Sequence, residues 1–114
     1  MCDITDCDVR MIRNEDVEQV LIGVPKDHKH IRVCLKLKNK QVLIFQEATI
    51  ANILRGYITV KTHPTIKSQK LSLKALPKTE RKEGFAVYQL LESRIQDEEV
   101  EEEISQLVKE ARRL

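Results

Sequence analysis

The chain has no tryptophan, and its other aromatic residues are only Phe45, Tyr57, Phe85 and Tyr88. A core must therefore be assembled from Ile, Leu and Val, and the stacked rings that usually grip single-stranded nucleic acid are missing. Glycine is as scarce: Gly23, Gly56 and Gly84 stand alone, so neither a phosphate-cradling P-loop nor a dinucleotide fingerprint can be built. There is no GxxG clamp, no strand of paired aromatics and no zinc-finger spacing, which removes the common nucleic-acid-binding modules.

Cys2, Cys7 and Cys34 are odd in number and contain no CxxC pair, which argues against a disulfide framework or a zinc ribbon. Free thiols in a reducing compartment are expected, with Cys34 a small half-buried strand residue. No apolar run approaches the roughly 20 residues that span a bilayer, and the start is acidic where a signal peptide is basic. A cytoplasmic protein without membrane contact is expected.

Charge is plentiful and sorted. Residues 26 to 82 hold 14 Lys+Arg against 3 Asp+Glu, the first 25 residues hold 2 against 6, and residues 83 to 114 hold 4 against 9. The blocks carry −4, +11 and −5, so the formal net charge of +2 hides a cationic middle between acidic ends. A lysine-rich surface attracts polyanions, while acidic flanks screen it or dock against it. With 114 residues, 41% hydrophobic and 33% charged, one compact domain is expected.

Residues 1–15 read as an irregular acidic N-terminus, and residues 16–114 as a single α+β domain ending in an amphipathic acidic helix. VEQVLIGV, from Val17 to Val24, reads as a strand; Pro25 and KDHKH mark a turn. Ile31, Val33, Leu35 and Leu37 then alternate with Arg32, Cys34, Lys36 and Lys38, which puts the two sets on opposite strand faces. KNKQ turns a hairpin on Asn39 and Lys40, Asn being tolerant of positive φ. VLIF, from Val42 to Phe45, is apolar on both faces and reads as the middle of the sheet.

Ile50, Ile53, Leu54, Tyr57 and Ile58 have helical spacing and predict a helix from Glu47 to Lys61, ended by His63 and Pro64. Alternatively the helix stops at Arg55, Gly56 caps it, and the β-branched YITVKT starts a strand at Tyr57. Lys70 to Leu76 alternates, Phe85 to Leu91 reads as a second inner strand, and a basic loop lies between them. In Ser93 to Leu114, Val100, Ile104, Leu107, Val108 and Ala111 form the stripe of a helix whose acidic first turns and basic last turn suit its dipole. The order is βββαββα, an α+β fold with a five-stranded, mostly antiparallel sheet packed against two helices.

Alternation turns the charge count into a candidate site. Arg32, Lys36 and Lys38 leave their strand opposite its apolar row, Lys70 and Lys74 do the same on theirs, and Lys40, Lys78, Arg81 and Lys82 extend a rim. On one face, these residues would engage the phosphates of nucleic acid or another polyanion without reading sequence. Lysines also keep open sheets soluble and edges unpaired, and the acidic helix can dock beside them. Two functions follow: a small non-enzymatic polyanion-binding protein, or a structural adaptor that self-associates or binds a protein partner through the sheet and C-terminal helix.

The case for an enzyme is weak. His28 and His30, two residues apart, reach one side and with His63 or Cys34 approach a metal set, but that spacing is ordinary in turns and nothing completes the shell. In the acidic stretch from Asp97 to Glu103, Glu98, Glu101 and Glu102 read as the solvated outer face of a helix rather than as a carboxylate pair. No catalytic residue, metal or cofactor is assigned.

Overall fold

A computed structural model describes residues 6–80, 87–93 and 97–114. In chain order the strands and α-helices are β1 (Arg10–Met11), β2 (Val17–Gly23), β3 (Arg32–Leu37), β4 (Val42–Gln46), α1 (Glu47–Thr62), β5 (Leu71–Ala75), β6 (Tyr88–Glu92), α2 (Asp97–Glu110) and β7 (Arg112–Arg113). Short 3₁₀ turns cover Asn14–Asp16 and Lys78–Glu80. The fold is a mixture of helices and strands, as the sequence predicts, but the single five-stranded sheet is not formed. Instead, among the described residues, β2, β3 and β4 make an antiparallel sheet in that order, β5 pairs with β6, and β1 lies parallel to β7.

The described chain divides into two compact units, Met1–Gln46 with Glu101–Leu114, and Glu47–Val100. In the first, β3 is the central strand. Among the described residues β4 lies at the edge, against its expected place in the middle, and the chain enters α1 directly after Gln46. The β3–β4 turn also differs in detail. Lys40 donates its N–H to the Leu37 carbonyl at 3.0 Å, and it is Lys40, not Asn39, that takes positive φ, at 73°. Asn39 serves through its side chain, Oδ1 accepting the Gln41 N–H at 3.0 Å and Nδ2 donating to Gln41 Oε1 at 2.9 Å.

Within the stretch expected to be irregular, Arg13 N–H donates to Asp16 Oδ2 at 3.0 Å and closes the 3₁₀ turn ahead of β2. The Asp16 carbonyl then accepts the Lys38 N–H at 2.9 Å, tying the start of β2 to the end of β3. A register shift between Val17 and Gln19 bulges the strand at Glu18. β1 and β7 join the ends of the chain: the Val9 carbonyl accepts the Arg112 N–H at 2.9 Å and Arg10 Nη1 donates to the Arg113 carbonyl at 3.0 Å.

In the second unit α1 runs unbroken through Gly56 to Thr62, so Tyr57 to Thr62 is helix and not strand. Gly56 sits where a Cβ would lie 3.3 Å from Gln69 Oε1 and 3.6 Å from Leu71 Cδ1, a close approach of the helix to the strand that follows it. α1 also packs against β6. The β5–β6 pair thus has a helix packed against it within its own unit. Ser68, a buried residue, donates to the Asp97 carbonyl and carboxylate at 3.2 and 3.3 Å, while Lys67 N–H donates to Asp97 Oδ2 at 3.1 Å. The first turn of α2 is anchored by these bonds. Among the described residues only Leu37 and Val100 are buried apolar side chains.

Candidate functional site

Cross-strand register fixes both faces of the three-stranded sheet, since directly paired residues point the same way. One face carries Val20 and Ile22 of β2, Val33, Leu35 and Leu37 of β3, and Leu43 and Phe45 of β4. On the other face, three rungs cross the strands: Gln19–Lys36–Val42, Leu21–Cys34–Ile44 and Gly23–Arg32–Gln46. The middle rung is apolar throughout, and each neighbouring rung places one cation on the central strand.

This second face is open at both edge strands. Leu21, Val42 and Ile44 are 52%, 51% and 65% exposed, while Arg32, Cys34 and Lys36 between them are half-buried. Long cationic side chains lie their methylene stems along apolar neighbours and keep the charged head in water. The surface is thus amphipathic, an apolar line between two positive charges, and not the uniformly cationic one that a count of lysines suggests. Isolated exposed apolar residues are ordinary, and only large contiguous apolar patches point to an interaction surface.

The remaining sequence-predicted residues fall elsewhere. Lys38 and Lys40 are exposed in the turn after β3, and Lys38 helps to hold the Asp16 carboxyl below the usual carboxylate range. The larger causes of that lowering are the Arg13 backbone N–H and then the Arg13 guanidinium, whose Nε lies 3.3 Å from Asp16 Oδ2. Lys70 precedes β5 and Lys74 lies on it, with Ser72 on the same strand face, but β5 and β3 belong to different sheets. Lys78 is exposed in the second 3₁₀ turn. Arg81 and Lys82 lie outside the described residues.

Among the described residues, groups with covalent or metal chemistry do not assemble into a site. His28 and His30 are exposed in the β2–β3 connection, whose turn is closed by His28 N–H donating to the Pro25 carbonyl at 3.2 Å with Asp27 at φ 63°. His63 ends α1, its Nδ1 accepting the N–H groups of Thr65 and Ile66 at 3.1 and 3.0 Å. Cys34 keeps a free thiol between apolar neighbours, whereas Cys7 is disulfide-bonded. That bond corrects the expectation of three free thiols and removes it as a sign of compartment. Among the described residues no group of three His, Cys, Asp or Glu side chains is placed to hold a metal ion, and no helix is long and apolar enough to cross a membrane.

An open cleft of about 560 Å³ lies by the β1–β7 pair, walled by Asp6, Asp8, Arg10, Glu110 and Arg112. Both signs of charge line it, and Arg10 Nε already pairs with Asp8 Oδ1 at 2.7 Å, so it selects no ligand charge. α2 offers the other notable surface. Ile104, Leu107 and Val108 of its stripe are 48%, 37% and 54% exposed, with Glu101 and Glu110 beside them. Helical periodicity in the sequence locates that stripe, but periodicity shows which residues share a face and not what covers them. The chain matches no family model, no curated protein and no solved structure.

Proposed function

We propose that this protein is a non-enzymatic association module whose three-stranded sheet docks an apolar helix flanked by carboxylates. The observation that supports this most directly is the exposure of Leu21, Val42 and Ile44 on the face that also carries Arg32 and Lys36. Apolar side chains supply the driving force of such a contact, and the two cations select a partner with acidic flanks and fix its register. The thiol at the centre of the face has Leu21 and Ile44 as cross-strand neighbours, not an imidazole, which suits packing better than nucleophilic chemistry.

The test is a titration of the full chain with a synthetic amphipathic peptide whose Ile/Leu stripe is flanked by glutamates, followed by amide NMR shifts. Leu21, Cys34 and Ile44 should move most, and a peptide with lysine flanks should bind at least tenfold more weakly, roughly the effect of a like-charge contact. Absence of shifts, or equal binding of both peptides, refutes the proposal.

A second reading, engagement of nucleic acid or another polyanion, is supported by the turn end of the sheet, where Lys38 and Lys40 are exposed next to Lys36 on β3. Fluorescence anisotropy with generic RNA and DNA over a salt series tests it. Reversing the charge of Lys36 and Lys38 should then weaken binding more than reversing Lys109 and Arg112, and equal loss from both pairs counts against it.

A further inference from the structure

Resting on the association reading above, we infer that the docked helix is α2 of a second copy of this chain, in a reciprocal dimer where each protomer lays its α2 stripe across the partner's Leu21–Cys34–Ile44 rung. Both halves of the contact are on one chain and both are open: Ile104, Leu107 and Val108 on the helix, Leu21, Val42 and Ile44 on the sheet. A two-fold axis uses each half twice and closes the assembly.

Charge and spacing agree with that occupant. Glu101 and Glu110 are nine residues apart on α2, about 13 Å at the helical rise, on opposite flanks of the stripe. Arg32 and Lys36 are four residues apart on β3, also about 13 Å at the strand rise, on opposite sides of the apolar rung. A helix crossing the sheet face along β3 can thus bring a carboxylate to each cation while the stripe covers the rung. Pairing α2 with α2 instead would set Glu101 and Glu110 of one helix along those of the other, the like-charge arrangement that disfavours a self-paired coil.

Analytical ultracentrifugation of the full chain tests the inference with two double variants, R32E/K36E and E101K/E110K, each checked for native circular dichroism. Wild type should be a dimer, each variant alone should dissociate roughly a hundredfold more readily, and an equimolar mixture of the two should recover the dimer, because both contacts are then complementary again. Alkylation gives an independent readout: the free Cys34 thiol should react more slowly in wild type and in the mixture than in either variant alone. A dimer indifferent to both reversals, or a mixture that stays monomeric, overturns the inference. So does a wild type monomeric up to about 1 mM, the concentration of a very weak contact. If that monomer still binds the glutamate-flanked peptide, only self-association fails and the association reading stands; if it binds neither, both fail.

Discussion

Leu37 is the one apolar side chain of the three-stranded sheet that is fully buried, 2% exposed, while Ile22 on the same sheet face is 70% exposed. Replacing each with alanine removes a similar amount of hydrocarbon from opposite environments. For Leu37→Ala the lost transfer energy is about 0.8 kcal/mol for each of about three carbons, near 2.4 kcal/mol, to which the space left behind adds its own cost. Leu35 and Leu43 on that face are only half-buried, so the surroundings of Leu37 are less rigidly packed than a deep interior. The expected loss is therefore about 3 kcal/mol, in the lower half of the range for such substitutions. Ile22→Ala gives up less than a third of that transfer energy and should cost about 0.7 kcal/mol. Equilibrium urea unfolding followed by far-ultraviolet circular dichroism measures both, since no tryptophan is available as a probe. A cost below about 1 kcal/mol for Leu37→Ala, or one equal to that of Ile22→Ala, refutes the assignment of Leu37 as the anchor of this sheet.

Lys40, at φ 73°, holds a conformation that costs an L-residue about 1 kcal/mol or more, so Lys40→Gly should leave stability unchanged or raise it by up to about 1 kcal/mol, while Lys40→Val should lower it, as read from the urea midpoint. Gly56→Ala should raise the melting temperature, because the helix-propensity gain of about 1 kcal/mol exceeds the small shift asked of the Gln69 side-chain end at 3.3 Å; a fall would show that the contact cannot yield. Asp16 titrates below the usual carboxylate range when folded, so its contribution is present at neutral pH and is lost as pH falls through the lowered value. Asp16→Asn should accordingly be less stable than wild type near neutrality and match it in acid, and a difference that persists in acid contradicts the ionic account.

Local pattern made the elements legible. Strict alternation from Ile31 to Leu37 located β3, and the 3.6 period from Ile50 to Ile58 located α1, even across Gly56, where β-branched content argued for a strand. Pairing was not legible in the same way. Period two assigns side chains to faces but carries no information on which strand is adjacent, so the β5–β6 hairpin was placed in one sheet with β2–β4. The β1–β7 pair joins Arg10 and Met11 to Arg112 and Arg113, two residues on each side with no pattern to announce them. For the face of the sheet, the positions of Arg32 and Lys36 followed from alternation, but the accompanying Leu21, Val42 and Ile44 needed the register.

That register changes what salt should do to any ligand of the face. Each phosphate contact contributes about −0.9 to the slope of log affinity against log salt, so Arg32 and Lys36 alone give about −1.8. A fourfold rise, from about 50 to about 200 mM, then weakens binding about twelvefold. With Lys38 and Lys40 also engaged, the slope approaches −3.6 and the same rise costs about 150-fold. A partner held by Leu21, Cys34 and Ile44 with two flanking ion pairs falls below the first figure, because apolar burial does not weaken with salt and counterion release from a folded helix is smaller than from a nucleic acid. One salt series on the full chain therefore separates the two ligand classes. A loss above about a hundredfold for nucleic acid assigns the turn lysines to polyanion binding, and a loss below about tenfold for the glutamate-flanked peptide, which makes the contact once, assigns the rungs to protein association.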